Sequence, residues 1–414
     1  MKQEEKIVLG FSGGLDTSYC CARLSGENKF VLAVLADTGG FSPEDILKIE
    51  QQALKCGAGK FVVIDAAAGF YKEVIRFLIF GNCLKNDTYP LSVSAERTHQ
   101  ALALANFALE TNATGIAHGS TGAGNDQVRF DLVFNALCPD MKIITPVRDR
   151  KLSRKEEVAF LVSRGIETDL YGKPWSETAG DYSINKGLWG TSIGGRETLI
   201  SKGKLPESAW PSRMEKSEPE EMVLEFEKGE LVSVNGISFA DPVAAIRFVE
   251  KTAAPFGIGR DVHVGDTIIG IKGRVAFEAP APLIIIKAHH LLEKHVLSKQ
   301  QLCLKDQVGK FYAGLLHEAQ LLDPVMRDIE AFLISTQEKV SGKVFLELHP
   351  WRFFLTGISS PFDLMQTRFG SYGETNKGFS GEDVKGFTAI LGNQIRMACS
   401  LNNSINEKKE VYEA

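Results

Sequence analysis

Short apolar runs alternate with amphipathic segments over the first third of the chain. The runs are rich in β-branched residues and end at glycine or polar residues, which is typical of buried strands. Helix-forming segments separate them: Ser42 precedes Pro43 and early acids, and Ser153 and Glu156 have the spacing of a capping box. The pattern predicts an open α/β sheet with parallel strands at Lys6–Phe11, Phe30–Ala36, Lys60–Asp65, Gly115–His118 and Lys142–Thr145.

The regular alternation ends after Gly165. Residues 171–192 are rich in Gly, Pro, Ser, Asn and Trp and have no sustained helix or strand pattern, so we place a domain boundary there. The pattern beyond it predicts an α+β lobe. Strands are predicted at Val223–Phe226, Thr267–Ile271 and Leu283–Ile286, and a helix at His317–Ile334. A hairpin is predicted from Lys343–Leu348 and Arg352–Ile358. Glu382–Leu401 predicts a C-terminal helix. The predicted domains are therefore residues 1–170, 171–379 and 380–414.

Composition and charge narrow the class of protein. Hydrophobic residues make up 44% and charged residues 24% of the chain, close to globular averages. The net charge of -5 has the wrong sign for a protein that binds nucleic acid through its phosphates. No apolar run is long enough to span a membrane, the start lacks a secretory signal, and the seven cysteines form no Cys-x-x-Cys pair. We expect a cytoplasmic protein with no nucleic-acid or membrane partner.

No metal site built from protein ligands is predicted. His289, His290 and His295 are close in sequence, but neither cysteines nor a clear set of carboxylates accompany them. Histidine spacing alone is weak evidence for a metal, so we interpret these residues as packed or solvent-facing.

A glycine-rich turn follows the first predicted strand, where Gly10 and Phe11 lead into Ser-Gly-Gly-Leu-Asp-Thr-Ser at 12–18. Two adjacent glycines between a strand and a helix can expose backbone N–H groups. Together with the hydroxyl groups and the positive end of a helix dipole, these N–H groups form a phosphate cradle. A bare Gly-Gly pair is equally consistent with a tight turn. The string matches neither the Walker loop nor the Gly-x-Gly-x-x-Gly fingerprint.

A second polar string runs from His118 to Arg129 after the fourth predicted strand. It contains three glycines, two hydroxyls, the Asn125 amide, the Asp126 carboxylate and a guanidinium. The guanidinium has the fork geometry that binds a carboxylate, and the amide can both donate and accept hydrogen bonds. Taken singly, each of these residues could be ordinary loop or surface chemistry. The glycines in the string permit close approach by anionic groups.

The loop at 12–18 resembles the pyrophosphate-binding loop of the ATP pyrophosphatase superfamily, and both strings together resemble argininosuccinate synthases. Tyr89-Pro90-Leu91-Ser92-Val93-Ser94 and the region around Ser183 and Ser192 extend the match. Trp175-Ser176 is an alternative match for the first of these serines, but the spacing to Ser192 favours Ser183. The resemblance implies an open parallel-sheet lobe like that of adenine nucleotide alpha hydrolases, an α+β synthetase lobe and a C-terminal helix that assembles a homotetramer.

The resemblance also implies the reaction and the site. Citrulline is adenylated by ATP with release of pyrophosphate, and the aspartate amine then displaces AMP to give argininosuccinate. Asp16, Asn125 and Asp126 are the implied catalytic residues, and Asp16 positions Mg²⁺ or orients the loop. The implied ATP site is Gly10, Phe11, Ser12, Gly13, Gly14, Leu15, Asp16, Thr17, Ser18, Ala36 and Gly119. Ala36 is the predicted adenine contact. The implied aspartate site is Thr121, Asn125 and Asp126, and the implied citrulline site is Tyr89, Ser94, Asn125, Arg129, Ser183 and Ser192.

Two positions depart from the family pattern. A glutamate and a tyrosine that complete the citrulline site in the family correspond here to Gly265 and Phe277. Three interpretations follow: another acid such as Asp261, Asp266 or Glu278 replaces the glutamate, the α-amine meets water, or the substrate is an N-acylated citrulline. Two other functions share the loop, a tRNA-thiolating or other adenylating enzyme and an ATP-binding sensor.

Overall fold

The computed structural model describes residues 5–122, 124–176, 182–366, 373 and 378–401. The chain divides into two compact units, residues 1–362 and residues 363–414. The division of the first unit at residue 171 stays a prediction.

A five-stranded parallel sheet forms the first part of the larger unit. Its strands are β1 (Lys6–Gly10), β2 (Phe30–Asp37), β3 (Lys60–Asp65), β4 (Gly115–Ala117) and β5 (Lys142–Ile144), in the order β3-β2-β1-β4-β5. All five predicted strands are confirmed to within one residue at their ends. The chain leaves β1 towards β2 on one side and returns to β4 on the other, and open sheets bind ligands at such a reversal of strand order.

Helices cover both faces of this sheet. The helices in the described ranges are α1 (Leu15–Gly26), α2 (Pro43–Lys55), α3 (Ala67–Phe70), α4 (Arg76–Phe80), α5 (Ser92–Glu110), α6 (Asp126–Leu137), α7 (Pro146–Arg150), α8 (Arg154–Ser163), α9 (Pro242–Ala253), α10 (Pro280–Val296), α11 (Lys299–His317), α12 (Pro324–Thr336) and α13 (Gly381–Leu391). A single π-helical turn, Tyr71–Ile75, joins α3 to α4. The predicted caps at Ser42 and Ser153 are confirmed as capping boxes with Asp45 and Glu156. Apolar side chains of β1 and β2 are buried on both faces, as a covered parallel sheet requires.

Two further sheets complete the larger unit. Their strands are β6 (Tyr182–Gly187), β7 (Gly190–Gly195), β8 (Glu220–Glu227), β9 (Glu230–Val234), β10 (Ile237–Ser238), β11 (Arg260–Asp266), β12 (Lys272–Glu278), β13 (Gly342–His349) and β14 (Arg352–Ser359). The sheet orders are β10-β9-β8-β13-β14 and β11-β12-β7-β6, both antiparallel. This mixture of helices and antiparallel sheets confirms the α+β class, the strand predicted at Val223–Phe226 and the hairpin at β13 and β14.

Several local predictions are wrong. The strand predicted at Leu283–Ile286 lies inside α10, because a continuous apolar run fits a buried helix as well as a strand. The strand predicted at Thr267–Ile271 is the turn between β11 and β12. The helix predicted over 317–334 is two helices, since α11 ends at His317 and α12 begins at Pro324. The segment predicted without strands contains β6 and the start of β7.

The smaller unit contains α13, and residues 393–401 are also helical. Ser380 caps α13 through a capping box with Asp383, and its large apolar residues are exposed: Val384, Phe387, Ile390 and Leu391. The predicted helix begins within one residue of α13. Among the described residues, no helix is both long enough and apolar enough to cross a membrane.

Candidate active site

A cavity of about 820 Å³ opens at the carboxyl edge of the parallel sheet. The last residues of β1 and β2, the loop after β4 and one edge of β6 line it. Because parallel strands all end at this edge, the glycine-rich turn and the second polar string come together around one volume. The two strings that sequence analysis singled out therefore share a site.

The glycine-rich turn presents helix N–H groups to this cavity. Gly13 has φ +77°, a left-handed conformation that side chains disfavour, and Gly14 is the N-cap of α1. Among the described residues, no side chain caps this helix, and the Thr17 hydroxyl donates to the Gly14 carbonyl (3.2 Å). Ser12 and Leu15 also line the cavity. An uncapped helix start with adjacent hydroxyls is a binding site for phosphate oxygens.

Two carboxyl groups face each other beside this turn. Asp16 lines the cavity on α1 and is hydrogen-bonded to Glu157, a residue of α8 that is only 2% exposed. Burial raises the pKa of Asp16 from its usual value, and burial together with the Asp16 charge raises the pKa of Glu157 to about 8. The pair therefore holds a shared proton at neutral pH.

The loop after β4 closes tightly onto the start of α1. A Cβ on Gly119 would lie 3.1 Å from the Asp16 backbone carbon and 3.2 Å from the Thr17 nitrogen. His118 Nδ1 accepts a hydrogen bond from the Ser120 N–H (3.2 Å), and its Nε2 lies 3.0 Å from Asp131. These bonds fix the imidazole tautomer and hold the glycine against the phosphate loop.

Asp126 at the start of α6 connects two arginines in the cavity wall. Its Oδ1 accepts from Arg129 Nη1 (2.8 Å) and its Oδ2 from Arg97 Nε (3.3 Å). Although burial opposes ionisation, the two guanidinium groups hold the pKa of Asp126 below its usual value. Asp126 and the two guanidinium groups thus form a charge set in this part of the cavity wall.

Arg129 also ties α6 to the end of α11. Its Nε and Nη2 both donate to the His317 carbonyl, at 3.2 Å each, and the side chain is 5% exposed. A guanidinium has five N–H groups, so these bonds and the Asp126 bond leave one N–H on each terminal nitrogen. These remaining N–H groups are available to bind a substrate carboxylate.

Comparison with known proteins agrees with this arrangement. A family model described as "Arginosuccinate synthase N-terminal HUP domain" matches residues 6–167, and one described as "Arginosuccinate synthase C-terminal domain" matches residues 182–398. The chain belongs to the argininosuccinate synthase family. A relative named "Argininosuccinate synthase" from Dictyoglomus turgidum is 36% identical over 394 residues, 95% of this chain and 97% of its own. One from Methanocaldococcus jannaschii is 36% identical over 90% of this chain and 92% of its own.

A solved complex of a 4-thiouridine synthetase with RNA and ATP shares 17% identity and a TM-score of 0.31 over 42% of this chain and 44% of its own. That likeness is too slight to bear on function. The family membership rests on the two matched domains and on relatives that align over nearly their full length.

Most residues that the resemblance to argininosuccinate synthases implies for the site line the cavity. They are Gly10, Phe11, Ser12, Gly14, Leu15, Asp16, Thr17, Ala36, Gly119, Thr121, Asn125, Asp126, Arg129 and Ser183. Those that lie outside the lining are Gly13, Ser18, Tyr89, Ser94 and Ser192. Gly13 and Ser18 belong to the turn itself, where the Ser18 hydroxyl donates to the Gly13 carbonyl (3.4 Å).

Tyr89, Ser94 and Ser192 are buried near the start of α5. The Tyr89 hydroxyl accepts from the Val93 N–H (3.2 Å) and is hydrogen-bonded to Ser192, while the Ser94 hydroxyl donates to the Leu91 carbonyl (3.1 Å). Leu91, the N-cap of α5, has φ 65°, a strained conformation that is often found at functional sites. These three residues form a compact group of their own that is not part of the cavity lining.

The two positions that depart from the family pattern lie beside this group. Phe277 is fully buried, pairs with Ser192 across β12 and β7, and its ring centroid lies 5.4 Å from that of Tyr89. Gly265 lies on β11 opposite Gly273. Of the acids considered as replacements for the missing glutamate, Glu278 binds Arg260 (2.8 Å) and Asp266 binds Lys272 (2.6 Å). Both carboxylates are paired, and the third candidate, Asp261, accepts a hydrogen bond from the Val262 N–H (2.7 Å).

Sequence analysis missed polar residues of α5 that line the cavity. Glu96 accepts from the Thr38 hydroxyl, and Gln100 donates to the Ala36 carbonyl (3.3 Å). Arg97 donates to Asn185 (3.1 Å) as well as to Asp126. Burial raises the pKa of Glu96 from its usual value. The available signal was a cluster of charged and amide side chains in a helix otherwise rich in alanine and leucine.

Proposed function

We propose that this protein is an argininosuccinate synthase that joins citrulline to aspartate with conversion of ATP to AMP and pyrophosphate, in arginine biosynthesis. The observation that carries the proposal is the single cavity between the uncapped helix start at Gly14 and the charge set around Asp126. One end suits a phosphate chain and the other suits amino-acid carboxylates and amines. Membership of the argininosuccinate synthase family over both domains supports the same reaction.

The first step is adenylation of the acceptor. The ureido oxygen of citrulline attacks the α-phosphorus of ATP, the bond to the β-phosphate oxygen breaks, and pyrophosphate leaves. The N–H groups at the start of α1, with the Ser12 and Thr17 hydroxyls, hold the departing pyrophosphate. These donors are fixed by the turn before the reaction begins, so they stabilise the developing charge without reorganisation.

The second step forms the carbon–nitrogen bond. The aspartate amine attacks the ureido carbon of the adenylate, AMP leaves with the former ureido oxygen, and the amine loses a proton. Thr121, Asn125 and Asp126 bind aspartate, and the two free N–H groups of Arg129 bind the citrulline carboxylate. Tyr89, Ser94, Ser183 and Ser192 complete the citrulline site. Since the phosphate loop and the charge set around Asp126 share one cavity, the adenylate need not leave the site.

Mg²⁺ enters with ATP in this proposal. The described residues contain no group of three or more metal-binding side chains, and Asp16 is the carboxylate that lies at the phosphate loop. One carboxylate fits Mg²⁺, which keeps several waters and uses phosphate oxygens as its other ligands. When bound, the ion supplies neutralisation of charge on the phosphates.

The assembly and location of the enzyme are part of the proposal. The exposed apolar residues of α13 suit a helix that packs against other subunits, so we propose a homotetramer in the cytoplasm. We also propose the domains 1–170 for the nucleotide, 171–379 for the amino acids and 380–414 for assembly.

A tRNA-thiolating enzyme suits the site less well. Such chemistry needs a reactive thiolate, and Cys83 and Cys138 are both buried. Burial raises the pKa of the Cys83 thiol to about 12 and raises that of Cys138 as well. A thiol with a raised pKa is a poor nucleophile at neutral pH.

The proposal is tested by measuring pyrophosphate and AMP with one substrate omitted at a time. We expect stoichiometric AMP, pyrophosphate and argininosuccinate only when Mg-ATP, citrulline and aspartate are all present. Release of pyrophosphate without any amino acid, or binding of ATP with no release under every condition, would overturn the proposal.

A further inference from the structure

Two buried histidines, of which His263 stacks on Tyr89, each have one ring nitrogen with no partner among the described residues. We call these two histidines, His263 and His317, together with the neighbouring Lys85, the imidazole cluster. The His263 ring stacks on Tyr89 with centroids 5.3 Å apart, and His263 and His317 are 6% and 8% exposed. In the described part of the chain, Nδ1 of each ring is buried and has no hydrogen-bond partner. Buried polar atoms are nearly always paired, so these nitrogens point to a ligand.

The cluster favours a neutral or anionic ligand group. Burial lowers the pKa of both histidines, and the charges of Arg129 and Lys85 lower that of His317 further, to about 3. Both rings are therefore neutral at pH 7. His317 already has a hydrogen bond to the Asp266 backbone, so the His263 ring is the one that offers an N–H donor and an acceptor nitrogen. The nearby carboxylate of Asp126 is already bound by two arginines. A substrate ammonium would meet the positive charges of Arg129 and Lys85 here.

The His263 imidazole fills the space of a side chain at position 265. A Cβ on Gly265 would lie 2.5 Å from His263 Nε2 and 3.4 Å from Asn86 Nδ2. An imidazole in this position and a glutamate at 265 therefore exclude each other. In this chain, a neutral imidazole therefore occupies the space that a glutamate at 265 would need.

We propose that the citrulline site also binds citrulline whose α-nitrogen is acylated. The acyl carbonyl accepts a hydrogen bond from an N–H of the imidazole cluster. This inference rests on the proposed function, because the acylated molecule reacts through the same ureido group. An amide at the α-carbon has no charge to pair and supplies the acceptor oxygen that the rings lack. The atom balance of the reaction is unchanged, since the acyl group takes no part in it.

The inference is tested by comparing kcat/KM for citrulline, N-acetylcitrulline and N-succinylcitrulline at saturating Mg-ATP and aspartate. We expect at least one acylated form to reach a value within about tenfold of free citrulline or above it, the scale of one hydrogen bond. Turnover of free citrulline with both acylated forms more than about a hundredfold lower would overturn this inference and leave the proposed function standing. No turnover of any of the three would overturn the proposed function itself.

Variants test whether the imidazole cluster binds the acyl group. In His263→Leu, the ratio of kcat/KM for acylated over free citrulline should fall about tenfold, since one neutral hydrogen bond is lost. The matched control His290→Leu, on α10 with a half-buried ring, should leave that ratio unchanged. Equal ratios in wild type and His263→Leu would overturn the role of the cluster. If His263→Leu fails to fold, calorimetric binding of N-acetylcitrulline to the wild type decides, and no detectable binding would overturn the inference.

Discussion

Replacement of Arg129 by lysine tests the link between the charge set and the fold. The side chain makes three hydrogen bonds, two to the His317 carbonyl at 3.2 Å and one to Asp126 at 2.8 Å. Lysine keeps the positive charge but has one nitrogen on a flexible stem, so it cannot span both partners. We expect it to retain the Asp126 bond and release the carbonyl at the end of α11.

The expected loss of stability follows from those bonds. A hydrogen bond from a charged donor contributes about 1.5–3 kcal/mol, and a buried carbonyl left without its donor costs about 1–3 kcal/mol. Because the two N–H groups share one carbonyl, their contributions are not additive. We therefore expect Arg129→Lys to lower the free energy of unfolding by about 2–3 kcal/mol.

Urea unfolding measures this loss, and Arg23→Lys is the matched control. Arg23 pairs with Glu27 at 2.8 Å, but its side chain is 30% exposed. Exposed pairs contribute about 0–1 kcal/mol, so the control should change little. In activity assays, Arg129→Lys should raise KM for citrulline, because the fork that binds its carboxylate is gone. Equal stability losses in the two variants, or an unchanged KM, would refute the reasoning.

Three further predictions concern the loop and the carboxyl groups. Gly119→Ala should raise KM for ATP about tenfold in steady-state assays, because its Cβ meets backbone atoms of Asp16 and Thr17 that cannot move aside; an unchanged KM would contradict the tight packing. Asp126→Asn should lower kcat/KM for aspartate by about a hundredfold, the scale of a lost charge-assisted contact, while retention of activity would remove it from the site. The pKa of Glu157 is about 8 in the folded state and 4.5, its usual value, in the unfolded state. Its protonation therefore stabilises the fold fully below pH 4.5, and this contribution is lost as the pH rises through 8. Urea unfolding should thus show that the free energy of unfolding falls less between pH 5.5 and pH 9 for Glu157→Gln than for wild type. Equal decreases in the two proteins would contradict the shared proton.

The sheet that carries the nucleotide loop was predictable because its signals are local. Each strand is a short apolar run that ends at glycine or a polar residue, and the helices between them begin at capping residues such as Ser42. The two polar strings follow β1 and β4, which are neighbours in the sheet, so their convergence follows from the strand order.

Other features were harder to predict from the sequence because their signals depend on tertiary contacts. The run around Leu283–Ile286 fits a strand by its β-branched residues, and only its burial among other helices makes it part of α10. Likewise, Glu96 and Arg97 are ordinary helix residues in sequence. Their place in the cavity depends on how α5 packs against β1, β2 and β6. The pairing of His263 with Gly265 could be seen only in the structure, where the ring occupies the space beside the glycine.

The central claim is that the ureido oxygen of citrulline attacks the α-phosphorus of ATP. Citrulline labelled with ¹⁸O in the ureido group tests it most directly, with Mg-ATP and aspartate present and the products analysed by mass spectrometry. The account predicts one ¹⁸O atom in the AMP phosphate, because the carbon–oxygen bond breaks when aspartate displaces AMP, and no label in pyrophosphate. Label in pyrophosphate, or unlabelled AMP formed together with argininosuccinate, would contradict it.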